Sequence, residues 1–136
     1  MSQQILVVDD EAHIVQVLSL KLRNAGYEVF TAVDGEEAFE LAGQESPDLV
    51  ITDFPMPYMT GLELCRALAE HEATASIPIL ILTARGYALD DEDLAIGNIK
   101  DVISKPFSPR AIVAQVRGLL DPQPGSQPLQ VDPEAA

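Results

Sequence analysis

The chain has 136 residues, 47% of them apolar and 22% charged, with a formal net charge of −14 at pH 7. That length suits one domain, and the apolar fraction supports a buried core and excludes a disordered chain. The acidic excess argues against nucleic acid or an anionic membrane as a partner, and the single cysteine, Cys65, excludes an internal disulfide framework.

No apolar run approaches the length of a membrane span, about 20 residues. The start, Met1-Ser2-Gln3-Gln4, lacks the basic opening of a secretory signal, so a cytoplasmic domain is expected.

The apolar run Ile5-Leu6-Val7-Val8 reads as a strand buried on both faces, as in parallel sheets. Ile14, Val17, Leu18, Leu22 and Ala25 then recur at helical spacing, and Gly26 stops the helix. Glu28 to Ala32 is a weaker strand candidate. Asp34 is placed to cap the next helix, with Glu37 three residues on as in a capping box and Ala38, Leu41 and Ala42 on the apolar face. Leu49-Val50-Ile51 is a third strand, followed by a helix from about Gly61 to Leu68. Ile79 to Leu82 is a fourth strand, and a short acidic helix is expected around Leu89 to Ile96. Val102-Ile103 marks a weak fifth strand. A last helix starts at Pro109, where the missing N–H costs little, and carries Ile112, Val113, Val116, Leu119 and Leu120. From Asp121 onward four prolines and no Lys or Arg indicate a flexible tail or linker, so the domain is expected over 1–120 and the tail over 121–136.

Strict strand–helix alternation implies an α/β fold, a doubly wound parallel sheet with helices on both faces. Ligands of such sheets bind at the carboxyl ends of the strands. Asp9-Asp10-Glu11 follows the first strand, Asp53 ends the third, Thr83 ends the fourth and Lys105 follows the fifth. Clustered carboxylates raise one another's pKa unless a cation relieves them. Mg²⁺ suits such a crevice, since it takes one or two carboxylates, keeps waters and accepts phosphate oxygens. Taken singly, Asp9 or Asp10 reads as a helix cap, Thr83 as a strand former and Lys105-Pro106 as a turn. Their joint placement at four strand ends favours a site.

Val7-Val8-Asp9-Asp10-Glu11, Asp53-Phe54-Pro55-Met56-Pro57 with Gly61, Thr83-Ala84 and Lys105-Pro106-Phe107 together resemble the response-regulator receiver domain of two-component signalling. The spacings of 43, 30 and 22 residues between Asp10, Asp53, Thr83 and Lys105 fit that family without insertions. The resemblance covers roughly residues 4 to 120 and implies a flavodoxin-like sheet of strand order 2-1-3-4-5. It implies Asp53 as phosphoacceptor, Mg²⁺ held by Asp9, Asp10, Asp53 and the Pro55 carbonyl, and Thr83 and Lys105 as ligands of the phosphoryl oxygens. It also implies a histidine kinase or phosphotransfer protein as donor, and a cis Lys105–Pro106 bond.

The chain departs from the family at Val102, where most receivers carry Tyr or Phe. Val102 cannot swing as an aromatic ring does, so the usual relay to the face around the acidic helix at Leu89 to Ile96 is in question; Tyr87 is a candidate substitute, though it reads first as partly exposed packing. Asn98, beside Gly97, stands where the family often has glycine. Asp90-Asp91-Glu92-Asp93 reads as a solvated helix start. His13 and His71 read as surface residues and Cys65 as packing.

Two other functions fit the same fold. A phospho-independent docking module would lack site residues, and none is missing. An aspartate-nucleophile phosphatase would carry Asp-x-Asp after the first strand, where this chain has Asp9-Asp10-Glu11. A stand-alone receiver is favoured over one cut from a longer chain, because the tail reads as a complete polar end.

Overall fold

The computed structural model describes residues 3–54, 59–83, 98–105 and 107–120. In chain order these form β1 (Gln4–Val8), α1 (Ala12–Asn24), β2 (Glu28–Ala32), α2 (Gly35–Glu45), β3 (Leu49–Asp53), α3 (Gly61–Glu70), β4 (Ile79–Thr83), β5 (Ile99–Ser104) and α4 (Pro109–Leu120). The strands pair in parallel in the order β2-β1-β3-β4-β5, the flavodoxin-like order expected from the sequence. The acidic helix expected near residues 89–96, Tyr87 and the tail lie outside the described residues.

Alternation along the central strands separates two cores. Ile5, Val7, Leu49, Ile51, Leu80 and Leu82 point to one face and pack with Leu18 and Leu22 of α1 and Ile112 and Val116 of α4. Leu6, Val8, Val50, Ile79 and Ile81 point to the other and pack with Ala38 and Ala42 of α2 and Leu64, Cys65 and Leu68 of α3. This is why β1, β3 and β4 read as continuous apolar runs: both faces are covered, so no polar alternation survives. β5 lies at the sheet edge, where Lys100, Asp101 and Ser104 are exposed, and its sequence signal is correspondingly weak.

Local chemistry fixes the ends of the elements. Gly26 has a φ of +104°, a conformation glycine adopts at no steric cost, and it turns the chain from α1 into β2. Asp34 caps α2 by accepting the Glu37 N–H at 2.8 Å, but the Glu37 carboxylate accepts from Val33 N–H rather than from the cap residue. A full capping box, which the sequence reading missed, opens α3 instead: Thr60 and Glu63 accept from each other's backbone N–H at 3.1 and 2.8 Å.

Candidate functional site

β1, β3, β4 and β5 each bring a polar residue to the carboxyl end of the sheet. Asp9 follows β1, its N–H continuing the ladder to Ala32 O. Asp53 is the last residue of β3, opposite Leu82, and Thr83 the last of β4, opposite Ser104. Lys105 follows β5, tied to Thr83 by a 2.7 Å bond from its N–H to the Thr83 carbonyl. Asp9, Asp53 and Thr83 are buried, Lys105 is half-buried and Asp10 is exposed.

The groups converge. One carboxylate oxygen from each of Asp9, Asp10 and Asp53 lies within 4.8 Å of the others. Lys105 Nζ stands 3.0 Å from Asp53 Oδ1, 3.3 Å from Glu11 Oε1 and 3.4 Å from Asp9 Oδ2. Toward Asp53 the contact is an ion pair out of hydrogen-bond alignment, so that Oδ1, though buried, has no hydrogen-bond donor among the described residues.

Burial pushes the Asp9 carboxyl up to about 6, and the Asp53 charge adds to this, while the Glu11 N–H and Lys105 oppose it. Burial raises Asp53 as well, with Lys105 pulling it back and Asp10 adding repulsion. Burial would lower the Lys105 ammonium, but Asp53, Asp9 and Glu11 outweigh it and hold the group above its ordinary value. The buried thiol of Cys65 is driven up to about 12, which makes it a packing residue and not a reactive thiolate.

Neither Asp9 nor Asp10 occupies the cap position of α1: that position is Glu11, whose side chain makes no cap hydrogen bond. Asp9 Oδ1 instead accepts the Glu11 N–H at 2.9 Å, which aims the carboxylate into the crevice. His13 and His71 are exposed, the latter edge-on to Phe39. Asn98 is buried and its amide donates to Cys65 O at 3.3 Å, tying the start of β5 to α3. Pro55 and Pro106 lie outside the described residues.

The donor set suits Mg²⁺. It offers hard oxygens only, and oxygens on one such ion, each about 2.1 Å from it, stand about 3 to 4 Å apart. Asp53 Oδ1, which accepts no hydrogen bond among the described residues, and the raised Asp9 are both groups a cation would satisfy. Sequence reasoning named Glu11 only as part of an acidic run; its contact with Lys105 depends on the loops meeting in space.

A family model described as the response regulator receiver domain matches residues 5–117. The alkaline phosphatase synthesis transcriptional regulatory protein PhoP of Bacillus subtilis is 43% identical over 121 residues, 88% of this chain and 49% of that protein. The phosphate regulon transcriptional regulatory protein PhoB of Pseudomonas aeruginosa is 40% identical over 85% of this chain and 51% of its own length. The chain thus spans about half the length of these curated relatives. The solved chemotaxis response regulator CheY4 of Vibrio cholerae superimposes with a TM-score of 0.80 at 35% identity, covering 88% of this chain and all of that one. The receiver domain of a sensor histidine kinase from Pseudomonas aeruginosa, solved with a magnesium ion coordinated in its active site cleft, superimposes with a TM-score of 0.77 at 27% identity, covering 88% of this chain and 98% of that one. Sequence match, strand order and the strand-end groups agree: the chain belongs to the response regulator receiver domain family.

Proposed function

We propose that Asp53 accepts a phosphoryl group from a histidine kinase or phosphotransfer protein and that the domain acts as a cytoplasmic signalling switch or phosphorelay shuttle. The observation that carries this is the 3.0 Å ion pair between Lys105 Nζ and the buried Asp53 Oδ1, beside the Asp9–Asp10–Asp53 cluster. Asp9, Asp10 and Asp53, with the carbonyl of Pro55, are the Mg²⁺ ligands in this reading. The ion supplies charge neutralisation between carboxylates and phosphoryl oxygens.

The remaining chemistry belongs to the chain. An Asp53 carboxylate oxygen bonds to phosphorus as the bond from phosphorus to the donor breaks, and the donor keeps that electron pair. Ionised Asp53 gives up no proton, so no general base is needed. Burial works against that ionisation and Lys105 works for it. Lys105 then faces a phosphoryl oxygen, and the Thr83 hydroxyl, two strands' ends away from Asp9, serves another. Placement and charge carry most of such a transfer. Return to the resting state takes a water oxygen onto phosphorus and breaks the bond to Asp53, releasing phosphate. This is slow self-dephosphorylation, not turnover of a small ester.

Incubation with acetyl phosphate and Mg²⁺ followed by intact mass is expected to show one added phosphoryl group, lost in Asp53→Asn. A label retained by that variant would remove Asp53 from the role.

A further inference from the structure

Glu11 occupies the N-cap position of α1, with φ −89° and ψ 107°, yet its side chain accepts nothing from the helix it precedes. The residues that cap well, Ser, Thr, Asp and Asn, have shorter side chains. The Glu11 carboxylate turns away instead, to the loop after β5, and accepts from Lys105 Nζ at 3.3 Å across 94 residues of sequence. The same nitrogen faces Asp53 Oδ1 at 3.0 Å and Asp9 Oδ2 at 3.4 Å. An ammonium has three N–H donors, and here three carboxylates surround it.

We infer that Glu11 is a positioning residue: it tethers Lys105 in the unphosphorylated arrangement and opposes the shift of the ammonium onto a phosphoryl group. The inference rests on the phosphoacceptor reading of Asp53. A phosphoryl group puts its charged oxygens beyond the present Asp53 carboxylate, so the Lys105 ammonium has to move outward to meet them, and that move gives up one of the contacts it now makes to Asp9, Glu11 and Asp53. Asp9 and Asp53 are buried and lose much if left unpaired, whereas the Glu11 side chain is 62% exposed and water replaces its partner. Glu11 is therefore the contact released. An interaction made in one state only shifts the population toward that state. Glu11 thus favours the unphosphorylated form.

Loss of a negative charge would by itself also favour an incoming anion, so contact and charge have to be separated. Glu11→Gln removes the charge. Glu11→Asp keeps it, shortens the arm by one methylene and gives α1 a preferred cap, which draws the carboxylate off Lys105.

The experiment titrates the full chain at saturating Mg²⁺ with beryllofluoride, a phosphoryl mimic, and follows the Lys105 Cε–Hε signal by NMR. Both variants are expected to bind beryllofluoride about threefold more tightly than wild type, the scale of one exposed ion pair, and to shift the Lys105 signal before any mimic is added. Wild-type affinity in both variants overturns the tether. So does a tightened Glu11→Gln beside an unchanged Glu11→Asp, since charge alone then explains the gain, and so does a Lys105 signal unmoved in both. A wild-type protein that takes up no beryllofluoride overturns the phosphoacceptor reading and this inference with it.

Discussion

A Cβ added to Gly61 would stand 2.3 Å from the backbone carbonyl oxygen of Asp53. No side chain fits there, and the close approach is locked in place by the Gly61 N–H donating to Phe54 O at 2.8 Å and by the Thr60–Glu63 capping box. Gly61 therefore sets the distance between the end of β3 and the start of α3, and with it the backbone of Asp53. Gly61→Ala is expected to cost about 2 kcal/mol, the range of an overpacked core position, and to lower phosphorylation by acetyl phosphate. Urea unfolding measures the first, and a loss below about 0.5 kcal/mol would mean that the junction yields freely.

The raised Asp9 carboxyl gives a defined pH dependence. With a folded value of about 6 against an ordinary 3.8, the folded protein holds more protons than the unfolded chain between those values. Stability therefore falls as pH rises through that window, by about 3 kcal/mol at most. Burial of Asp53 acts with the same sign. In metal-free buffer, the stability difference between Asp9→Asn and wild type is expected to grow in favour of the variant from pH 4 to pH 7. A difference that stays flat would show that Asp9 is not strained by ionisation.

Asp10 is exposed, but one of its oxygens belongs to the acidic cluster and its charge repels Asp53. Asp10→Asn is expected to abolish most of the Mg²⁺-induced rise in melting temperature, because Mg²⁺ has few protein ligands to lose. Without metal the variant is expected to be equal to or slightly more stable than wild type, by about 0.5 kcal/mol, as suits an exposed charge. Thermal melts with and without Mg²⁺ separate the two effects, and an unchanged Mg²⁺ shift would take Asp10 out of the ligand set.

Ser19 on α1 is buried, and its hydroxyl has no hydrogen-bond partner among the described residues. Ser19→Ala removes that unpaired group and improves helix propensity, so a gain of about 0.5 to 1 kcal/mol is expected. A destabilised variant in chemical denaturation would reveal a partner for the hydroxyl.

Val102 of β5 is half-buried against the core cluster of α2 and α3, opposite Ile81 of β4. A β-branched side chain has few rotamers, so Val102 cannot exchange buried and exposed positions as an aromatic ring does. Backbone NMR with beryllofluoride is expected to show changes concentrated near Asp10, Asp53, Thr83 and Lys105. Large shifts throughout 87–103, together with dimerisation on addition of the mimic, would contradict a muted switch at this face.

Much of this protein is readable without coordinates, for a physical reason. β1, β3 and β4 lie between two helical layers, so burial on both faces writes them as unbroken apolar runs, while α1 and α4 show their single buried stripe as helical periodicity. The polar residues that end those runs then fall at the sheet's carboxyl edge, which is why Asp9, Asp10, Asp53, Thr83 and Lys105 could be read together as one candidate site. Edge strand β5 was faint because Lys100, Asp101 and Ser104 are exposed and interrupt its apolar residues. Contacts that cross between loops were not legible at all. The Glu11–Lys105 pair, the Asp53–Gly61 approach and the Asn98–Cys65 bond join positions 94, 8 and 33 residues apart, and no local pattern encodes them. Nor did the adjacent acids reveal that Asp9 is buried while Asp10 meets solvent. That division comes from which side chain the end of β1 turns into the crevice, and only the assembled sheet decides it.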